Sequence, residues 1–196
     1  MTLKIYLLNY QELPLDYLTN SIYFSLPHGF SLEKYKNEKV KKEKIVSSIL
    51  KNKYIGDYYL NEFGKPLSKD KYFNISHSEG YIALVIDKVP VGIDIEKLRP
   101  AEEDLRSYVS NQEEKNYIHD DESFFEVWTN KEALVKASGN GINKKPNLIP
   151  GLPFNSIKQY DHKKYFNKTI KYQDLIITVS RESSDDFDIS IIKEVI

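Results

Sequence analysis

The chain contains no cysteine in its 196 residues. This absence excludes disulfide bonds, thiolate nucleophiles and cysteine-ligated zinc sites. No apolar run approaches the roughly 18–20 residues that a membrane-spanning helix needs. The N-terminal residues MTLKIYLLNYQELP lack the charged start, the long apolar stretch and the small-residue cleavage site of a secretory signal peptide. We therefore expect a cytoplasmic protein without a membrane partner.

A net excess of either charge is also missing, because 28 Lys and Arg residues face 29 Asp and Glu residues. Domains that bind nucleic acid are usually strongly basic, so we expect no nucleic-acid partner. The charges are nevertheless segregated. Residues 33–53 hold eight lysines and three glutamates, whereas residues 102–126 hold nine acids and two basic residues. Such blocks suit a phosphorylated ligand in one place and a metal ion in another, although solvated helix faces show the same pattern.

The pattern of apolar residues predicts both strands and helices. Strands are predicted at residues 3–8, 58–63, 72–76, 80–87, 91–96, 170–179 and 187–195, and helices at 17–27, 31–53, 104–118 and 123–138. Segments 80–87 and 91–96 are expected to pair as an antiparallel hairpin. In the last helix, Ser123 and Glu126 have capping-box spacing and Gly139 stands where a C-cap glycine is favoured. The order of elements predicts an α+β fold with antiparallel sheet.

Two carboxylates alternate in the segment VGIDIE at residues 91–96. On a strand, Gly92, Asp94 and Glu96 share one face, which we expect to be open, with room for a ligand beside the glycine. Two adjacent carboxylates repel each other, and a hard divalent cation such as Mg²⁺ would offset that repulsion. A solvated polar face remains the alternative.

A second group of polar residues occurs in WTNKEALVK at residues 128–136. Helical spacing places Trp128, Glu132 and Lys136 on one face. Beside a metal ion, Glu132 could be a third ligand and Lys136 a phosphate contact. The alternatives are an ordinary surface ion pair and a tryptophan, the sole one in the chain, that belongs to the core.

A third group, FNISHS at residues 73–78, offers hydroxyl groups and an imidazole that suit phosphate binding. Activation of Ser76 by His77 as a nucleophile is disfavoured, because neighbours on a strand point to opposite faces. A simple turn-side hydrogen bond of His77 is the other alternative. Upstream, the turn Gly64-Lys65-Pro66 presents a lysine.

Taken in order, the motifs GKP, FNISHS, VGIDIE and FFEVWTNKEALVKASGNGI resemble those of the 4′-phosphopantetheinyl transferases of the long, surfactin-synthetase-activating (Sfp) type. The resemblance covers residues 64–142. It implies two similar α+β halves, residues 1–91 and 92–196, in a pseudo-twofold arrangement with the active site at their interface. The first half would hold the nucleotide of coenzyme A, and the second would hold the metal-binding acids and the carrier side.

The resemblance also implies a reaction and its partners. A serine hydroxyl of an apo acyl or peptidyl carrier protein attacks the β-phosphate of coenzyme A in a Mg²⁺-dependent step. The 4′-phosphopantetheine arm is transferred and 3′,5′-ADP leaves. A monomeric enzyme is expected.

Roles are implied for the residues that match the family motifs. The metal ligands are expected to be Asp94, Glu96 and Glu132. The residues that bind coenzyme A are expected to be Gly64, Lys65, Ser76, His77, which would bind the 3′-phosphate, and Lys136. Lys136 would also stabilise charge on the phosphates during the reaction, and Glu113 would be the general base. The arginine that family members often carry in the basic helix is missing, and Lys41, Lys42 or Lys44 could replace it.

Two other functions share these features. A metal-dependent phosphodiesterase or nuclease would use the same acids for hydrolysis without a carrier protein. A non-catalytic module would bind coenzyme A or a carrier protein without needing the acids. The presence of all three acids, Asp94, Glu96 and Glu132, favours the transferase.

Overall fold

A computed structural model describes residues 1–25, 31–61, 65–141 and 145–195. The helices in these ranges are α1 (Leu15–Thr19), α2 (Glu38–Tyr54), α3 (Glu103–Val109), α4 (Gln112–Tyr117) and α5 (Asp121–Ser138). The strands are β1 (Thr2–Asn9), β2 (Tyr59–Leu60), β3 (Pro66–Leu67), β4 (Tyr72–Ser78), β5 (Tyr81–Asp87), β6 (Val91–Lys97), β7 (Ser156–Tyr160), β8 (Lys163–Tyr172), β9 (Leu175–Arg181) and β10 (Asp188–Lys193). None of the described helices is both long enough and apolar enough to cross a bilayer.

The first sheet has the strand order β10-β1-β5-β4. Strands β4 and β5 form a hairpin whose turn residues, Glu79 and Gly80, have φ angles of 42° and 86°. Both turn residues are therefore left-handed, which matches the twist of a two-residue hairpin. Strand β1 pairs with β5 in antiparallel and with β10 in parallel orientation. The last strand of the chain is thereby tied to the first.

The second sheet has the order β6-β9-β8-β7, and its neighbouring strands are all antiparallel. Apolar side chains from the inner faces of both sheets form one cluster, which includes Ile5, Val85, Ile93 and Ile177. Helix α2 packs on the outer face of the first sheet, and α5 packs on the outer face of the second. The result is a helix–sheet–sheet–helix arrangement, so the predicted α+β class with antiparallel sheets and packed helices is confirmed.

Helix α5 lies so close to β6 that only a glycine fits at residue 92. A Cβ atom there would lie 2.1 Å from the carbonyl oxygen of Ala133 and 2.4 Å from the backbone nitrogen of Ala137. The expectation that Gly92 leaves room for a ligand is therefore wrong, because the backbone of α5 fills that room.

The predicted hairpin between residues 80–87 and 91–96 is also wrong. Strand β5 is already paired on both edges, with β1 and β4, and β6 pairs with β9 in the other sheet. The turn at residues 88–90 therefore carries the chain from one sheet to the next. The apolar run of β5 reflects burial on both faces of a central strand, with Ala83 facing the inner cluster and Leu84 facing α2.

Other boundaries differ for local reasons. The predicted strand 170–179 is interrupted at Gln173, whose φ of 57° belongs to the turn between β8 and β9. Helix α2 begins at Glu38 rather than near residue 31, because Asn37 is its N-cap. Asn37 Oδ1 accepts a hydrogen bond of 2.8 Å from Lys39 N. The first predicted helix is only the short α1, and residues 26 and 27 lie outside the described part of the chain.

The ends of α5 are fixed by its own sequence. Asp120 caps its N-terminus in a capping box with Ser123, so the predicted box between Ser123 and Glu126 starts three residues too late. Gly139 ends the helix with a φ of 76°, and its predicted role as C-cap glycine is confirmed.

The division of the chain into residues 1–91 and 92–196 stays a prediction. Each part contributes most of one sheet and one long helix. However, Val91 and Gly92 both lie within β6, and β10 pairs with β1.

We expect Gly92→Ala to destabilise the protein by roughly 2–3 kcal/mol, because a methyl group would have to separate α5 from β6. Urea unfolding measures this loss. Gly56→Ala is the matched control, since a Cβ at Gly56 meets nothing within 4 Å although its φ is +76°. It should cost only the left-handed backbone strain of about 1 kcal/mol. Equal losses in the two variants would contradict the close packing at Gly92.

Candidate active site

Side chains of β4 satisfy the free edge of β6. Strand β6 is the edge strand of its sheet, so every second backbone N–H group needs a partner outside that sheet. Side-chain oxygens of β4 accept these bonds, in the pairs Asn74–Ile93 at 2.9 Å, Ser76–Ile95 at 3.3 Å and Ser78–Lys97 at 3.1 Å. We call this set of contacts the β4–β6 seam. It joins the two sheets where the acidic motif lies.

The two serines of the seam also hold the carboxylates of β6. Ser76 Oγ donates to Asp94 Oδ1 at 2.8 Å, and Ser78 Oγ donates to Glu96 Oε2 at 2.7 Å. Residues two apart on a strand share a face. The alternating serines of β4 therefore meet the alternating carboxylates of β6. The position of both acids therefore follows from the contact that joins the sheets.

Asp94 is buried, with 4% of its surface exposed, against the expectation of an open face. Lys136 Nζ, from α5, lies 2.5 Å from Asp94 Oδ1 and 3.2 Å from Ser76 Oγ. Burial raises the pKa of Asp94, although the charge of Lys136 acts in the opposite direction. The second oxygen, Oδ2, is buried and has no hydrogen-bond partner among the described residues.

Glu132 lies on α5 and faces the same group of charges. The described residues give its carboxylate neither a hydrogen bond nor an ion pair. Burial raises its pKa, the negative charges of Asp94 and Glu96 raise it further, and Lys136 lowers it. The carboxylates of Asp94, Glu96 and Glu132 therefore share one electrostatic environment, as the motif spacing predicts.

These residues fit a hard cation that is completed by other ligands. Among the described residues, no group of three or more His, Asp or Glu side chains is placed so that it could hold a metal ion. Within the same part of the chain, Asp94 Oδ2 nevertheless has no hydrogen-bond partner. Mg²⁺ is usually held by one or two carboxylates, with water and substrate phosphates as its remaining ligands. The acids suit such a site.

Lys65 lies at the C-terminal end of α5. Its Nζ donates to the backbone oxygen of Lys136 at 2.5 Å, and its side chain passes 3.6 Å from the position of a Cβ on Gly139. Burial lowers the pKa of Lys65 from its usual 10.5 to about 8. The structure thus brings Lys65, Ser76, Lys136 and the acids into one region, whereas Gly64 lies outside the described residues.

His77 lies on the other face of β4. Its Nε2 forms an ion pair of 2.9 Å with Glu43 of α2, and about half of its side chain is exposed. Burial alone would raise the pKa of Glu43, but the hydrogen bond and charge of His77 lower it below its usual value. Ser76 and His77 therefore face apart, so these two residues do not form a pair for nucleophilic attack.

A cleft of about 220 Å³ lies between α2 and the β4–β5 turn. Two lysines of the basic segment line it, Lys39 and Lys42, and each is paired with an acid of the same cleft. Lys39 is 3.1 Å from Glu79, and Lys42 is 3.5 Å from Glu38. Of the three lysines expected to replace the missing arginine, Lys42 is the one that lines this cleft.

Glu113 is not brought to the acids by any contact of the described residues. It is exposed on α4, and its negative charge raises the pKa of Lys158. Lys158 lies on β7, which is the strand farthest from β6 in the second sheet. Its role as general base stays a prediction.

Motif analysis missed the neighbouring residue, Glu114. Its Oε2 lies 2.6 Å from Lys131 Nζ, and both side chains are 1% exposed. Lys131 also donates to the backbone oxygens of Val109 and Pro146, while Glu114 accepts from Gly151 N. The pair therefore fastens α5 to the loops around it. The capping box of Asn111 and Glu114 was the available sequence signal.

Comparisons with known proteins identify the family of the chain. The family model described as the 4′-phosphopantetheinyl transferase superfamily matches residues 90–191, just over half of the chain. The chain belongs to this superfamily. The matched range includes the positions of Asp94, Glu96, Glu132 and Lys136, and the expected family is confirmed.

Individual relatives also match parts of this superfamily member. The 4′-phosphopantetheinyl transferase Sfp of Bacillus subtilis (strain 168) is 30% identical over 113 residues, which are 50% of this chain and 50% of Sfp. The 4′-phosphopantetheinyl transferase gsp of Aneurinibacillus migulanus is 37% identical over 89 residues, 42% of this chain and 38% of that protein. The chain thus matches half or less of the length of these relatives.

The stability that Lys65 contributes should depend on pH. The folded protein releases this proton near pH 8, whereas the unfolded chain keeps it to about pH 10.5. In this window the unfolded state binds more protons, so the free energy of unfolding rises with pH. The wild type should therefore gain stability relative to Lys65→Met between about pH 8 and 10.5. Urea unfolding at several pH values measures this gain, and a constant difference between the two proteins would contradict the burial of the ammonium group.

Proposed function

We propose that the protein transfers the 4′-phosphopantetheine arm of coenzyme A to a serine hydroxyl of an apo acyl or peptidyl carrier protein, with Mg²⁺, and releases 3′,5′-ADP. One observation carries this proposal. Within the segment that matches the superfamily, Asp94 lies beside Lys136 and Glu132, and its buried Oδ2 has no hydrogen-bond partner among the described residues. A cation and a phosphate group are the ligands that such an arrangement suits.

The proposed metal ligands are Asp94, Glu96 and Glu132. Bound there, Mg²⁺ would act as a Lewis acid on the pyrophosphate of coenzyme A. Lys136 would exchange its contact with Asp94 for a phosphate oxygen, where its charge would stabilise the leaving bisphosphate. Since displacement at phosphorus depends mainly on positioning and charge, the chain needs no nucleophile of its own.

The nucleotide is proposed to cross the edge of the first sheet. His77, with Lys39 and Lys42 nearby, lies on the α2 side of β4, and Ser76 with Lys136 lies on the other side. Strand β4 is the edge strand, so a ligand can contact both faces only around this edge. A nucleotide whose 3′-phosphate and pyrophosphate are separated by a ribose has a suitable shape. In this arrangement Lys65 would lie beside the nucleotide, and the expected contact of Gly64 stays a prediction.

The lysines of α2 also favour an acidic protein partner. Carrier proteins of this class are usually acidic around the modified serine, and complementary charge accelerates association. The general-base role of Glu113, a monomeric state and a cytoplasmic location stay predictions.

Mass spectrometry of an apo carrier protein tests the proposed reaction. The protein is incubated with coenzyme A, Mg²⁺ and a panel of apo acyl and peptidyl carrier proteins. We expect one carrier or more to gain the mass of a single phosphopantetheine group. Release of phosphopantetheine into water without modification of the carrier would instead support the phosphodiesterase. Binding of coenzyme A without any product would support the non-catalytic module.

Glu132→Gln should lower the turnover of the carrier by at least about 100-fold, because it removes a charged oxygen ligand from the proposed Mg²⁺ site. Product formation over a range of Mg²⁺ concentrations measures the effect. Glu122→Gln, on the same helix, is the matched control, since Glu122 pairs with Lys171 outside the acidic cluster. Full activity of Glu132→Gln at low Mg²⁺ would remove Glu132 from the site.

His77→Ala should weaken coenzyme A binding by roughly ten- to a hundredfold, because one charge-assisted hydrogen bond is worth about 1.5–3 kcal/mol. Binding of 3′-dephospho-coenzyme A should change little, and calorimetry can compare the two ligands. His119→Ala is the control, since His119 lies in the turn between α4 and α5. Equal losses for both ligands would show that His77 does not contact the 3′-phosphate.

A further inference from the structure

The sole tryptophan of the chain, Trp128, contacts a carboxylate of the acidic cluster rather than only the core. Its indole Nε1 donates to Glu96 Oε1 at 3.2 Å. The ring itself is partly buried against an apolar cluster that includes Phe124, Phe125 and Ile176. Trp128 therefore joins the core of the second half to β6 through one polar atom.

The hydrogen bonds of Glu96 leave one direction open. Its Oε2 accepts from Ser78 Oγ at 2.7 Å and from an Arg99 guanidinium nitrogen at 2.8 Å, so both lone pairs of that oxygen are used. Among the described residues, Oε1 accepts only from Trp128. One lone pair of Oε1 is thus free. The indole N–H fixes the direction of the other lone pair, and this in turn fixes the direction of the free one.

The position of Trp128 relates this oxygen to the other acids. Trp128 lies one helical turn before Glu132 on α5, so the two residues are on the same side of the helix. The indole therefore holds an acid of β6 against the helix that carries Glu132. Arg99 is fixed in turn, with its guanidinium 4.7 Å from the ring centre of Phe125.

We propose that Trp128 is a positioning residue for the metal site, whose indole N–H holds Glu96 Oε1 so that its free lone pair faces the cation shared with Asp94 and Glu132. This role rests on the proposed function. Hydrogen-bond donors behind a metal ligand orient that ligand, and their loss typically weakens metal binding by 10- to 100-fold.

Trp128→Phe removes the N–H donor and retains an aromatic ring in the apolar cluster. Mn²⁺, which can be followed by the electron paramagnetic resonance signal of the free ion, serves as the probe. It is titrated into the protein with and without coenzyme A. We expect Trp128→Phe to bind Mn²⁺ roughly 10- to 100-fold more weakly than the wild type. Should this variant fail to fold, Trp128→Leu tests the same loss of the indole N–H, because leucine has no donor group.

Phe124→Leu is the matched control, because Phe124 packs in the same cluster and makes no recorded contact with Glu96. It should lower the thermal midpoint of unfolding while leaving the Mn²⁺ affinity within about twofold of the wild type. A merely structural role of Trp128 predicts instead that both variants lose stability and that neither loses Mn²⁺ affinity, and this result would overturn the inference.

Fluorescence of the wild type gives an independent measurement, since Trp128 is its only tryptophan. Mn²⁺ binding should change the Trp128 emission with the same concentration dependence as the resonance signal, and Glu96→Gln should abolish that change. Unchanged emission while Mn²⁺ binds would overturn the positioning role and leave the transferase intact. A wild type that binds no Mn²⁺ even with coenzyme A, yet modifies a carrier, overturns this role alone. If it also modifies no carrier, the proposed function fails with it.

Discussion

The structure depends on how the free edge of β6 is satisfied. A buried backbone N–H group without a hydrogen-bond partner is destabilising. At every second residue of β6, the N–H group points away from β9 and needs a partner outside the second sheet. Polar side chains at alternate positions of β4 supply the acceptors, while Phe73 and Ile75 between them pack toward α2. Strand β4 must therefore alternate polar and apolar residues. The same serines donate to Asp94 and Glu96, so the contact that joins the sheets also places the acids.

Helix α5 completes the site from the other side and carries its own constraint. Carboxylates gathered in a partly buried region repel one another, and Lys136 offsets that repulsion through Asp94. The helix can hold its lysine and glutamate there only because Gly92 allows its backbone to approach β6. The fully buried pair of Lys131 and Glu114 then fastens α5 to the surrounding loops. A lone buried charge at either position would be strongly destabilising, so the two must be retained together.

Local sequence predicted the elements whose determinants are local. The C-cap at Gly139, the alternation of β6 and the opposite faces of Ser76 and His77 follow from backbone geometry within a few residues. Predictions that required a pairing partner were less successful. The proposed hairpin between β5 and β6 had suitable strands and a suitable turn. However, an apolar run does not indicate which strands will cover its edges, and β5 is covered by β1 and β4.

The sequence by itself determined which chemical groups the site contains and on which face of each element they lie. Asp94 and Glu96 share a strand face, and Trp128, Glu132 and Lys136 share a helix face, because the periods of 2 and 3.6 residues are properties of the backbone. Only the tertiary structure decided which faces meet. It buried Asp94 against Lys136, turned His77 toward Glu43 and tied Trp128 to Glu96. These contacts join residues tens of positions apart, and they depend on how sheets and helices pack, which no local pattern encodes.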